Sequence, residues 1–213
     1  MTHSAGWWFR ELPEPKGPLP PHPTYAGSVP DSRQERLLVD VLSRAQAEGA
    51  LGQRPIADVI QHARSFVDAL PSDVTTVMDI GSGAGVPGLI IALDRPTVQL
   101  TLVDRRAKRV DALRRAIAVL EWGDRVVAHE GDVNQLSRDP AWEGTQDAVV
   151  ARGFGEPART LPLARRLVRV GGWLVISEPP PERGSRWDPA WVASLGLSSP
   201  ERCGAVVRFH VEQ

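Results

Sequence analysis

Val74-Thr-Thr-Val-Met-Asp-Ile-Gly-Ser-Gly-Ala-Gly-Val-Pro-Gly88 is the stretch on which the sequence turns. A short run rich in β-branched residues leads into a loop carrying Gly81, Gly83, Gly85 and Gly88, and Leu89-Ile-Ile-Ala-Leu93 follows. This order reads as strand, glycine loop, helix. Glycines there let backbone N–H groups approach a ligand that a Cβ would obstruct, and the next helix points its positive end to the same place. Asp79, two residues before the first glycine, narrows the reading, because a nucleotide phosphate would find a carboxylate repulsive.

Ahead of the loop, Ser32 and Glu35 offer a capping box for a helix with Leu37, Leu38, Val41, Leu42 and Ala45 on one face, ended by Gly49 and Gly52. Pro55 can open a second helix with Ile56, Val59, Ile60, Ala63, Phe66, Val67 and Leu70 inward, stopped by Pro71. Beyond the loop the pattern alternates. Strands are expected at 99–103, 125–129, 147–151 and 173–177, with helices at 108–120 and 156–170 and a turn at Gly171-Gly172. Residues 178–188 read as a surface loop, 191–195 as helical and 205–211 as a closing strand. Strand and helix alternating at this spacing imply right-handed βαβ units. The expected fold is α/β and Rossmann-like, with a mainly parallel sheet, an antiparallel C-terminal strand and an N-terminal helical extension. The expected organisation is an extended or disordered proline-rich arm at 1–30 with Trp7, Trp8 and Phe9, a helical pair at 31–71 and a ligand-binding core at 72–213.

Composition excludes several classes. The single cysteine, Cys203, rules out an internal disulfide framework and a cysteine-rich zinc site, and no His/Asp/Glu cluster has metal-ligand spacing. No apolar run reaches the ~18 residues of a membrane span, and the start lacks a signal-peptide core, so a cytoplasmic protein is expected. The net charge of −1 gives no global argument for nucleic acid.

Three nucleotide readings compete for the loop. A Walker A loop needs a Gly-Lys-Ser/Thr ending, and Leu89 follows Gly88. A dinucleotide fingerprint fits Gly83-Ala-Gly-Val-Pro-Gly88, with Asp104 near the expected offset for a ribose-binding acid. A third pattern, D-x-G-x-G-x-G, is met by Asp79, Gly81, Gly83 and Gly85, with Ser82 between them. It suits S-adenosylmethionine, whose sulfonium and amino-acid end welcome a carboxylate beside the loop. Asp104 would then accept the ribose hydroxyls, and Asp132, with Val133 beside it, the adenine amino group. Three acids at successive strand ends converge on the crevice where open α/β sheets bind ligands. The run Leu167-Val-Arg-Val-Gly-Gly-Trp-Leu-Val175 is also frequent in such methyltransferases.

At this point the chain resembles the RsmG (GidB) family, which methylates N7 of a guanosine in small-subunit ribosomal RNA with S-adenosylmethionine. The likeness covers roughly residues 45–177 and is most specific in Val77–Gly88, where Pro87-Gly88 follows the loop. Leu102-Val-Asp104 with Lys108-Arg109, Val149-Val-Ala-Arg152 and His62 are also similar. Two departures stand out: Ala63-Arg-Ser-Phe66 replaces a Leu-Asp-Ser type run, and Ser177-Glu178-Pro179 stands where the family has Lys-Gly.

Guanine N7 has a free lone pair and no proton to lose, so catalysis would be positioning for in-line displacement. Arg152 would donate to guanine O6 and N7 or to the cofactor's carboxylate, and His62 is a second site candidate. The adenine-amine motif is absent after the fourth strand, and Cys203 lies away from the strand ends a pyrimidine C5 enzyme would use. Ribosomal RNA would meet an arginine-rich face, with Arg105, Arg106, Lys108, Arg109, Arg114 and Arg115 on one side and Arg165, Arg166 and Arg169 on a later helix. A methyltransferase for a small molecule or another RNA, and a non-catalytic module that binds S-adenosylmethionine, stay open at this point.

Overall fold

The computed structural model describes residues 32–179 and 186–212; the proline-rich stretch with Trp7, Trp8 and Phe9 lies outside them, as does the side chain of Ser32 with its expected cap. Helix α1 (Ser32–Ala47) buries Leu38 and Leu42, and α2 (Ile56–Ala69) buries Val59, Ile60, Ala63, Phe66 and Val67. Their apolar residues recur every three or four positions, so each helix has one face to bury. Pro55 precedes α2 as its cap residue, and the chain turns extended at Leu70. The departure at 63–66 is accommodated internally: Arg64 donates to Glu35 of α1 and to Asp94, each at 3.0 Å.

The alternating elements follow as β1 (Thr76–Ile80), α3 (Gly88–Asp94), β2 (Gln99–Asp104), α4 (Ala107–Val119), β3 (Val126–Glu130) and α5 (Val133–Leu136). They continue as β4 (Gln146–Ala151), α6 (Pro157–Leu167), β5 (Val168–Ser177), α7 (Pro189–Ser194), β6 (Glu201–Cys203) and β7 (Val206–His210). The sheet order is β3-β2-β1-β4-β5-β7-β6; β1 to β5 are parallel, and β7 runs antiparallel to both β5 and β6. The order reverses between β1 and β4, so the crevice at the C-terminal ends of those strands is the place for a ligand. Each face of the sheet carries its own apolar core, one including Phe66, Leu89 and Leu113 and the other Leu161, Trp187 and Phe209. No helix among the described residues is long and apolar enough to cross a membrane.

Three expectations are corrected. Helix α6 stops at Leu167, and Gly171-Gly172 is no turn between elements but part of β5. The β4–β5 register jumps from Gln146↔Val168 to Ala148↔Trp173, so β5 bulges there. Glycine is needed at 172 because a Cβ would come 2.6 Å from the Asp147 carbonyl oxygen. Strand β3 ends at Glu130, so Asp132 caps α5 and does not end a strand. The three-residue β6 is too short to register in the sequence pattern.

At the N-terminal edge of the sheet, Asp147 joins three strands. One carboxylate oxygen accepts from Thr75 N–H, Thr75 Oγ1 and Thr76 N–H at 2.7–2.9 Å, the other from Arg169 Nε at 2.7 Å. Burial opposes ionisation, but the bonds from Thr75, Arg169 and Thr76 outweigh it and hold this acid well below the usual carboxylate range.

Candidate active site

The glycine loop sits at the C-terminal end of β1. Gly81 and Ser82 N–H both donate to the Val103 carbonyl of β2, at 2.8 and 2.9 Å, and Ser82 Oγ donates to the Asp79 carbonyl at 2.7 Å. Ser82 is thus a lock inside the loop rather than a surface group. Pro87 and Gly88 begin α3, and a Cβ on Gly88 would lie 2.3 Å from Leu102 Cδ2 and 2.8 Å from Asp79 Oδ2. Only glycine lets α3 approach the sheet this closely and deliver its N–H to Asp79 Oδ2 at 3.1 Å.

Asp79 is 1% exposed, and its other oxygen, Oδ1, is buried with no partner among the described residues. Burial pushes its pKa up to about 7, against the opposing pull of the Gly88 N–H and the positive Arg152. Arg152 follows β4 and donates from Nε to the Val86 carbonyl at 3.1 Å, which ties the β4 end to the glycine loop. Burial lowers its pKa and Asp79 counteracts this. His62 of α2 completes the cluster: burial, then Arg152, then Arg54, lower its pKa to about 4, so the imidazole is neutral at physiological pH. A buried acid with an unpartnered oxygen, a guanidinium and a neutral imidazole therefore share one corner of the crevice.

Asp104 ends β2 and is 4% exposed. Its Oδ2 accepts from Gly83 N–H at 3.1 Å and Arg109 Nη1 at 3.3 Å, and its Oδ1 from Arg106 N–H at 2.9 Å. Three of its roughly four lone-pair positions are in use, so a diol needs Arg109 to release Oδ2. The sequence does not single out Arg109 as a site residue; its place one helical turn into the basic run after Asp104 is the available signal. Asp132 accepts on Oδ1 from Asn134 N–H and Nδ2 at 2.8 and 2.6 Å, and those bonds keep its pKa low. Val133, the next residue, is buried at the start of α5. Asp79, Asp104 and Asp132 thus stand within two residues of the ends of three adjacent strands, around a single loop. The set matches a ligand with a cation for Asp79, a diol for Asp104 and an amino group for Asp132.

The other side of the crevice is built from the segment after β4 and the end of β5. Phe154 lies against the loop, so a Cβ at Gly81 would meet its Cδ2 at 2.7 Å, and Arg159 stacks over its ring at 5.5 Å. Gly153 N–H donates to Ser177 Oγ at 3.3 Å. Glu178, read from the sequence as an acid on a surface loop, has a side chain only 4% exposed. It accepts from Arg186 Nε at 3.1 Å and Trp187 Nε1 at 2.8 Å, and Arg202 stands 4.0 Å away. Its charge is therefore matched within the fold, and it presents no bare anion to a partner. The basic residues divide. Arg105, Arg106 and Lys108 are exposed at the start of α4, beside the site. Arg165, Arg166 and Arg169 lie at the far edge, bonded to Leu195, Glu143 and Asp147 respectively, so they do not share a face with the others.

Comparison with known proteins agrees with this architecture. Residues 39–178 match the family model for GidB, rRNA small subunit methyltransferase G. Relatives named ribosomal RNA small subunit methyltransferase G include one from Anaeromyxobacter sp., 34% identical over 67% of this chain and 62% of its own length. Another, from Dictyoglomus thermophilum, is 30% identical over 65% and 61%. The matches span less than two thirds of those relatives' lengths. Among solved structures, cofactor-bound Rv0187 from MTB superposes with a TM-score of 0.61 at 18% identity, covering 84% of this chain and 91% of that one. An O-methyltransferase family protein from Burkholderia thailandensis gives 0.54 at 17%, covering 83% and 61%. At such identities these two share the fold alone: a Rossmann-like methyltransferase architecture. Family model, relatives and sheet order agree, and the chain belongs to the GidB family, rRNA small subunit methyltransferase G.

Proposed function

We propose that the protein is an S-adenosylmethionine-dependent methyltransferase acting on N7 of a guanosine in small-subunit ribosomal RNA, in the cytoplasm. In this reading residues 72–213 form the catalytic core, and 31–71 a helical extension that brings His62 to it. The observation that carries the reading is Asp79, a buried carboxylate with one oxygen unpartnered beside a glycine loop. A pyrophosphate would be repelled there, whereas an ammonium or sulfonium would complete it.

When bound, S-adenosylmethionine supplies an electrophilic methyl group on its sulfonium. Gly81, Ser82, Gly83, Gly85, Pro87 and Gly88 shape the loop that holds it. Asp79 Oδ1 takes the ligand's cationic end, and Arg152, across from Asp79, takes its carboxylate. Asp104 accepts from the ribose hydroxyls once Arg109 withdraws, and the second oxygen of Asp132 accepts from the adenine amine, with Val133 walling that end. The acceptor nitrogen carries no proton, so no general base is needed, and neutral His62 acts as a positioning group. The exposed Arg105, Arg106 and Lys108 offer contacts to RNA phosphates.

Two measurements test the reading. Calorimetry should detect S-adenosylmethionine binding by the wild-type protein, weakened about 100-fold by Asp104→Ala, as for the loss of two hydrogen bonds to a charged acceptor. Mass spectrometry of nucleosides from a deletion strain should show loss of one 7-methylguanosine from small-subunit RNA; its full retention refutes the acceptor assignment.

A further inference from the structure

A groove of about 630 Å³ lies between the start of α6 and the segment from Arg186 to Trp191, lined by Glu156, Pro157, Arg186 and Trp191 among others. It opens beside the crevice. Phe154, two residues before Glu156, touches Gly81, and Ser177, which precedes Glu178, holds Gly153. It is a shallow, open depression, which suits a flat group laid against it rather than an enclosed ligand.

Arg186 is fixed before any ligand arrives. Its Nε donates to Glu178 at 3.1 Å, its Nη2 to the Ser177 carbonyl at 2.6 Å, and its guanidinium lies 4.8 Å from the centre of the Trp187 ring. Among the described residues those contacts leave the Nη1 protons for another acceptor, in the plane of a rigid fork. Glu156 precedes α6 without capping it, so its carboxylate is not spent on the helix end. Trp191 is half-buried, packed against the core on one side and lining the groove on the other. A fixed planar donor, a carboxylate acceptor and an indole in one groove match a flat ligand with hydrogen-bonding edges. A phosphate would be opposed by Glu156 and by Asp188, which also lines the groove.

We propose that this groove receives an unstacked nucleobase of the RNA acceptor, with Trp191 stacking on it, Arg186 donating to its edge and Glu156 accepting from it. The proposal rests on the RNA reading above, and it explains why Glu178 is buried where it is, since that carboxylate holds the arginine that reads the base. A donor fork that is already ordered loses little further freedom on binding.

The test is anisotropy titration of the full chain with a fluorescent single-stranded RNA and with a strand of equal length made of abasic residues, with cofactor affinity measured in parallel. The wild type should prefer the strand with bases roughly tenfold or more, since base–aromatic stacking is worth about 1–3 kcal/mol. Trp191→Ala and Glu156→Ala should each erase most of that preference while cofactor affinity stays the same. Arg186→Lys should keep binding to the abasic strand and lose preference. Arg202→Ala, which alters another Glu178 partner outside the groove, should behave as wild type. Equal binding of both strands by the wild type, or unchanged preference in Trp191→Ala and Glu156→Ala, overturns the proposal. Failure of the wild type to bind cofactor would refute the methyltransferase reading, while the two strands would still decide the groove.

Discussion

Replacing Asp79 by asparagine should change the pH dependence of stability as well as abolish cofactor binding. The pKa of Asp79 rises from 3.8 to about 7 on folding, so protonation favours the folded chain. Stability from this group is fully present below pH 3.8 and is lost as pH rises through 7, amounting to about 4 kcal/mol over roughly three units. His62 runs the other way. Its pKa falls from 6.5 to about 4, so the unfolded chain binds the proton more tightly, and stability rises with pH across that window by about 3 kcal/mol. In the ligand-free wild type the two slopes nearly cancel between pH 4 and 6.5. Asp79→Asn removes one of them. Urea unfolding followed by tryptophan fluorescence should give a nearly flat wild-type profile over that interval and a rising one for the variant, by up to about 1.4 kcal/mol per pH unit. At pH ~8 the variant should be the more stable by about 1–3 kcal/mol, the ~4 kcal/mol relieved less the cost of burying an amide N–H in place of Oδ1. Parallel profiles for the two proteins would refute the account of Asp79 as a strained, buried acid.

Gly88→Ala should lower stability by about 3 kcal/mol, because its Cβ would lie 2.3 Å from Leu102 and 2.8 Å from Asp79; a calorimetric melting temperature within a degree of wild type would contradict this. Arg109→Ala should tighten cofactor binding about fivefold, since a partly exposed ion pair worth about 1 kcal/mol no longer competes for Asp104; weaker binding would show that Arg109 touches the ligand. Glu178→Ala should cost about 3 kcal/mol in denaturant unfolding, because Arg186 and Trp187 lose an acceptor whose side chain is only 4% exposed, and a change below ~0.5 kcal/mol would show that this network adds little to stability.

Much of this is legible in the sequence for a physical reason. Strands of a parallel sheet are buried on both faces, so Met78 and Ile80, or Leu100 and Leu102, stand out against the amphipathic helices between them. Asp79 and Asp104 are readable as neighbours of the glycine loop because each ends or nearly ends a strand beside it, and each accepts an N–H from one of its glycines. The end of α6 is not, since Val168 and Val170 continue the apolar spacing of the helix and only the close approach of Gly172 to Asp147 shows that the chain has become strand. Glu178 passes for a surface acid because its partners lie 8, 9 and 24 residues downstream, a juxtaposition that no local pattern announces. Arg109 escapes notice because a cation paired with a buried acid looks the same in sequence as one that faces solvent.

The carboxylate of Asp147 has a consequence for how the chain can diverge. By gripping the starts of β1, β4 and β5 together, it sets the strand register from the end of the sheet remote from chemistry. The opposite rim is thereby released from that duty. Substitutions on that rim can reshape the crevice while each strand still delivers its last residue to the same height. The scaffold behaves as a comb held by its spine, whose teeth can be recut one at a time.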